Sequence, residues 1–179
     1  MELPKFGDFS FKSITQSDLD LFTCDSILEK YFKSDAIDTE NELIAKTYFL
    51  FKQGILEPLV GFSVSNHSLS ANIEINQLIP YGSHYKTYPA VLIGRLATHN
   101  NHLRNGYARL TIDIIKAWFT TSNKTGCRFI IVDARKDAVD FYKKNGFEEY
   151  PAEMETNQNI LLYFDLMDYL IQQNKLLNR

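Results

Sequence analysis

Apolar and polar residues alternate along Phe9 to Ile14, and that period of two predicts a first strand. Ser17, Asp18 and Asp20 come next, residue types able to cap a short helical turn. Ile27, Leu28, Tyr31 and Phe32 recur at helical spacing and predict a longer helix with one face turned inward. Lys46 to Phe51 and Pro58 to Ser65 read as the strands of a hairpin, with Lys52 to Glu57 turning around Gly54. Ala71 to Tyr88 has no clear period, and its Pro80 and Gly82, with Pro89 just beyond, predict a long loop. Val91 to Thr98 then predicts a buried strand, Gly106 to Thr121 a helix, and Arg128 to Asp133 a second buried strand. Ala134 to Asn145 predicts a short helix stopped by Gly146, Ile160 to Leu166 a late strand, and Met167 to Leu177 a helical tail. This alternation is α/β rather than separate helical and sheet layers.

Length and composition narrow the class. The 179 residues, 45% hydrophobic and 13% aromatic, suffice for one substantial core, and no repeat or Pro/Gly/Ser linker divides them, so one globular domain spanning 1–179 is expected. No stretch approaches the roughly eighteen apolar residues of a membrane span, and Met1 to Lys12 does not resemble a leader, so no membrane partner and a cytoplasmic location are expected. Cys24 and Cys127 lie far apart, without CxxC spacing or a histidine cluster, which fits reduced structural thiols. The net charge of -3 is uneven: Arg95 to Lys144 holds ten basic residues against four acidic ones, while acidic residues concentrate in the N-terminal half. A basic C-terminal half suits a phosphorylated cofactor or RNA, and solvated helix faces give the same count.

The most informative stretch runs from the strand ending Leu96-Ala97-Thr98 through a polar loop to Arg104-Asn105-Gly106-Tyr107-Ala108-Arg109 at a helix start. Amides converging at a helix N-terminus favour an anion such as a pyrophosphate. Gly106 and Ala108 permit close backbone approach, and Arg104 and Arg109 can add charge-assisted contacts. The chain has neither a Walker-type loop nor a dinucleotide fingerprint, which argues against nucleotide triphosphates and nicotinamide cofactors. His99 and His102, three apart in this loop without a third ligand, read as solvent-facing, and no metal is expected. His67 and His84 have no more support, and Glu74 reads as a surface residue. Trp118 fits the packed face of the helix.

Leu103-Arg104-Asn105-Gly106-Tyr107-Ala108 resembles the phosphate-binding turn of the GNAT family of N-acetyltransferases, although Leu103 replaces the usual polar residue. Ala138 to Phe147 is similar to that family's A-x-x-F-Y-x-x-x-G-F segment. Arg135 stands where many members carry an asparagine that helps hold CoA. Phe22-Thr23-Cys24, Lys46 to Phe49, Leu59 to Phe62 and Pro89 to Ala97 resemble most closely a toxin-like branch that acetylates aminoacyl-tRNA. The resemblance implies a mixed, mostly antiparallel sheet splayed in the middle and flanked by helices. It further implies acetyl-CoA as acyl donor, bound by the turn and by the backbone of Leu96, Ala97 and Thr98, with Tyr142 as general acid.

The acceptor implied is a primary amine, foremost the α-amine of a charged tRNA, with an antitoxin as protein partner. A homodimer, a small-molecule or protein amine, and a non-catalytic acyl-CoA sensor stay open. Deprotonating a lysine amine at pH 7 costs roughly 4.6 kcal/mol, against roughly 1 kcal/mol for an α-amine, so the latter needs no strong base. By periodicity alone, Phe141 and Tyr142 read as core aromatics on a short helix, and the resemblance is what assigns Tyr142 its chemical role.

Overall fold

The computed structural model describes residues 3, 5–80, 85–121, 125–151 and 159–178. In chain order the elements are β1 (Lys5–Phe6), β2 (Phe9–Ser13), α1 (Gln16–Leu21), α2 (Ser26–Lys30), a π-helical turn (Tyr31–Asp35) and α3 (Ala36–Asn41). β3 (Lys46–Lys52), β4 (Val60–Ser70), α4 (Ile73–Gln77), β5 (Thr87–Thr98), a 3-10 turn (Asn100–His102) and α5 (Tyr107–Thr120) follow. The last part holds β6 (Phe129–Arg135), a 3-10 turn (Lys136–Ala138), α6 (Val139–Lys144), β7 (Glu148–Glu149), β8 (Asn159–Asp165) and α7 (Leu166–Leu177). The strands are hydrogen-bonded in the order β1-β2-β3-β4-β5-β6-β8-β7. The pairings β1–β2, β2–β3, β3–β4, β6–β8 and β7–β8 are antiparallel, which is the open, largely antiparallel α/β sheet implied by the resemblance.

The chain divides into two compact units, residues 1–65 with 93–118 and residues 66–92 with 119–179; β4 and β5 pass through both. In the first unit, Phe49 and Phe51 of β3, two residues apart, turn one face of that strand toward an aromatic cluster. Phe22, Phe32 and Phe49 are fully buried there with Leu19, Tyr31 and Ala97. Rings pack at 5.0 Å (Phe22–Phe32) and 4.8 Å (Phe22–Phe49), and each such side chain contributes roughly 1.5–3 kcal/mol through burial. A Cβ at Gly61 would come within 2.7 Å of both Phe32 and Phe49, so only glycine lets β4 approach them. Trp118 packs against Phe11 and Tyr48, which is the core placement expected from sequence.

The second unit closes around Leu69, Ile75, Tyr88, Phe129, Ile131 and Tyr163. β6 pairs with β8 along its whole length, from Phe129 opposite Asp165 to Arg135 opposite Asn159. Arg128 grips Asp165 with Nε at 2.8 Å and Nη2 at 2.6 Å, and Asp165 caps α7 by accepting the Met167 N–H.

Several boundaries depart from the sequence reading. The cap of α1 is Thr15, which accepts from the Asp18 amide, so Ser17, Asp18 and Asp20 lie inside the helix. The helix expected over Ile27–Phe32 continues through the π turn to Asn41, which lets the adjacent Tyr31 and Phe32 both face the core. Within the expected loop Ala71–Tyr88, Asn72 caps α4, whose Ile75 is buried, and β5 starts at Thr87; Gly82 and His84 lie outside the described residues. The strand expected over Pro58–Ser65 runs to Ser70. The helix expected over Ala134–Asn145 begins only at Lys136, because β6 keeps pairing through Arg135.

Candidate functional site

The first unit carries the donor-rich turn. Arg104 (φ 61°) and Gly106 (φ 78°) both adopt left-handed backbone, which curls the chain ahead of α5. The Leu110 amide is the first to return to this turn, donating to the Gly106 carbonyl at 3.0 Å. The amides of Gly106, Tyr107, Ala108 and Arg109 donate to no acceptor among the described residues, as expected of an uncapped helix start. No acidic residue lies in the first turn of α5, and nothing stands within 4 Å of where a Gly106 Cβ would be. Arg104, Asn105 and Arg109 are exposed, so guanidinium groups flank a cradle of unpaired donors. These are features that fit a pyrophosphate.

The loop before the turn is anchored. His99 is 4% exposed: its backbone N–H donates to Leu59 O at 2.9 Å, its Nε2 to Leu21 O at 3.1 Å, and its Nδ1 accepts from the Asn101 amide at 3.1 Å. That pattern fixes the neutral tautomer with hydrogen on Nε2 and leaves no lone pair for catalysis. His102 Nε2 meets Glu57 Oε1 at 2.9 Å, and its ring lies 6.1 Å from that of Tyr107. The solvent-facing reading of both histidines is therefore corrected. Glu57 is held below the usual carboxylate range by its own backbone amide and then by His102. Tyr107 also packs on Phe9, so its ring fixes the start of α5 while its amide stays unpaired.

On β5, Leu96 and Thr98 are half-buried and Ala97 is buried in the aromatic cluster. The cysteine thiols are free, and burial pushes Cys24 up to about 12 and Cys127 up to about 11, which excludes reactive thiolates at neutral pH. Glu74 is exposed, as expected. Among the described residues, no group of side chains is arranged to hold a metal ion, and no helix is long and apolar enough to cross a membrane.

Tyr142 belongs to the second unit, on α6. It is 8% exposed, edge-on to Phe141 and Phe147 at 5.1 and 5.4 Å. Its carbonyl accepts the Asn145 and Phe147 amides, so the helix end is locked beneath it. The hydroxyl has no hydrogen-bond partner among the described residues, and burial raises its pKa to about 12. Arg135 turns away to an ion pair with Asp137, two residues along.

The chain is similar to a tyrosine-to-phenylalanine mutant of KacT (TM-score 0.74, 18% identity, covering 92% of this chain and 99% of that one). It is similar to AtaT complexed with acetyl-methionyl-tRNAfMet (TM-score 0.72, 22% identity, 92% and 99%). It is also similar to a tyrosine-to-phenylalanine mutant of the AtaT toxin bound to the C-terminus of the antitoxin AtaR and acetyl-CoA (TM-score 0.70, 19% identity, 92% and 97%). The chain shares their fold. No family model matches it, and no curated protein matches it in sequence.

Proposed function

We propose that this protein is a cytoplasmic, toxin-like N-acetyltransferase that moves an acetyl group from acetyl-CoA to the α-amine of an aminoacyl-tRNA. The observation that carries the reading is the run of unpaired amides at Gly106 to Arg109 between two exposed arginines. The fold shared with AtaT, which has been solved with acetyl-CoA and with acetyl-methionyl-tRNAfMet, supports it. So does the FYxxxGF segment that carries Tyr142.

Arg104, Asn105, Gly106, Tyr107, Ala108 and Arg109 hold the pyrophosphate, and the backbone of Leu96, Ala97 and Thr98 aligns the acyl-bearing arm. When bound, acetyl-CoA supplies an activated acyl group whose C–S bond breaks as the new C–N bond forms. Tyr142 acts as the proton donor. With its pKa pushed up to about 12, its hydroxyl stays protonated through the physiological range. A free thiol near pKa 8.5 is the stronger acid by roughly 3.5 units, so Tyr142 donates a hydrogen bond and releases its proton only to a sulfur that is also desolvated.

His99 offers no base, because both of its ring nitrogens are engaged, whereas His102 meets Glu57 through Nε2 alone. An α-amine asks little of either: it costs roughly 1 kcal/mol to deprotonate at pH 7. The similarity to the AtaT–AtaR complex adds an antitoxin to the proposed partners, beside a homodimeric assembly. A parallel thiol-release screen with charged tRNAs, polyamines, free amino acids and peptides tests the reading. Preference for charged tRNA supports it, and turnover confined to the other amines contradicts it.

A further inference from the structure

We propose that Arg95 recognises a phosphodiester of the acceptor, next to its aminoacylated 3′ end. The inference rests on the charged-tRNA reading above and adds a residue to it. Arg95 lies on β5, one position before Leu96, and by the two-residue period of a strand it shares a face with Ile93 and Ala97. Both of those are buried, whereas Arg95 is exposed. Ala97 packs in the cluster that contains Tyr31, and the Arg95 guanidinium sits 5.1 Å from the centre of the Tyr31 ring.

The ring beneath it is rigid. Tyr31 opens the π turn, is 8% exposed, and shares hydrogen bonds through its hydroxyl with Thr47 Oγ1 at 2.9 Å and Thr39 Oγ1 at 3.2 Å. Stacking on an aromatic face orients a guanidinium and leaves its edge donors free. Among the described residues the guanidinium donates one hydrogen bond, from Nη1 to the Gly94 carbonyl at 2.7 Å, and Arg95 forms no ion pair. Two other cations of the same unit are engaged: Lys33 donates to the Leu19 and Asp20 carbonyls, and Lys46 pairs with Glu40.

Arg95 is thus a planar fork of N–H donors, already ordered and lacking an anion. Its Cα lies roughly 3 to 10 Å along the strand from those of Leu96 to Thr98, so a phosphate bound there is within about one nucleotide of the reacting amine. A carboxylate-free, amine-only substrate has nothing to give this fork, whereas an aminoacylated RNA end presents a phosphate beside every acceptor amine.

The test compares two acceptors carrying the same amino acid: an aminoacylated RNA minihelix and the amino acid methyl ester, which has the amine but no phosphate. For Arg95→Ala, the ratio of kcat/KM for minihelix over ester should fall about tenfold or more, the effect of one charge-assisted bond. Arg95→Lys should recover part of it, since the charge returns without the fork. The dependence of log KM on log salt for the minihelix should become shallower by about 0.7 in Arg95→Ala. Acetyl-CoA affinity by calorimetry and thermal melting control for the fold. An unchanged ratio, or an equal loss on both acceptors, overturns the assignment and makes Arg95 a packing residue while charged tRNA stays the substrate. If the wild-type protein acetylates the ester and no charged RNA, the substrate reading and this assignment fail together.

Discussion

Replacing Gly106 by asparagine and by aspartate separates shape from charge at the proposed pyrophosphate cradle. Both side chains are nearly the same size, and both tolerate left-handed backbone better than other residues, so the φ of 78° costs each variant a similar amount, roughly 1 kcal/mol. Nothing lies within 4 Å of the position of the new Cβ, so neither clashes with the protein itself. The two differ only by one negative charge beside the amides of Tyr107 to Arg109. Two like charges about 5 Å apart repel by roughly 0.8 kcal/mol at the dielectric of water and roughly 3 kcal/mol at an effective dielectric of 20. An exposed turn falls between these limits, so Gly106→Asp should bind acetyl-CoA about 5- to 100-fold more weakly than Gly106→Asn, measured by isothermal calorimetry. Raising salt from 0.1 to 1 M shortens the screening length from about 10 to about 3 Å and should shrink the gap. Equal affinities for two folded variants, or a gap insensitive to salt, would refute an anion held at this turn.

Tyr142→Phe should keep acetyl-CoA binding and slow acetyl transfer by about 100-fold or more under conditions where chemistry limits the rate; full turnover would reassign Tyr142 to packing. The same variant should lose an alkaline sensitivity. Folding raises the Tyr142 pKa from 10.0 to about 12, so its stabilisation is complete below pH 10 and lost as pH rises toward 12. That is about 3 kcal/mol, visible when denaturant-unfolding free energies of wild type and Tyr142→Phe are compared across this window. His99→Ala should cost about 2–4 kcal/mol in the same assay, because the Leu21 carbonyl and Asn101 amide lose their partner inside the protein. A change under 1 kcal/mol, roughly the size of one exposed hydrogen bond, would mean that the ring is not structural.

Two early strands were legible from their own local pattern. Phe9–Ser13 and Lys46–Lys52 match their expected spans to within a residue, the first through its alternation and the second through the apolar run Phe49, Leu50 and Phe51, which is buried on both faces. α4 was hidden because five residues with one buried position, Ile75, carry too little period beside Pro80. The π turn breaks the 3.6-residue rule where Tyr31 and Phe32 both turn inward. At the candidate site, Gly106 and the helix start were visible in sequence, but the left-handed Arg104 was not, since nothing local marks a non-glycine residue for that conformation. The loop histidines were misread for a similar reason. His99 is buried by the carbonyl of Leu21, 78 residues earlier, and His102 is held by Glu57, 45 residues earlier. The platform of Tyr31 under Arg95 is equally non-local, joining a helix to a strand 64 residues on.

Acetylation of a single charged tRNA tests the proposed function most directly. Purified protein is incubated with acetyl-CoA and a panel of aminoacyl-tRNAs, the RNA is digested with nuclease, and the released aminoacyl-adenosines are weighed by mass spectrometry. The expected result is one added acetyl group on the amino acid of at least one tRNA, dependent on Tyr142 and abolished by prior chemical blocking of the α-amine. Aminoacyl-adenosines of unchanged mass across the whole panel, with thiol release from acetyl-CoA on a free amine in the same preparation, would contradict it.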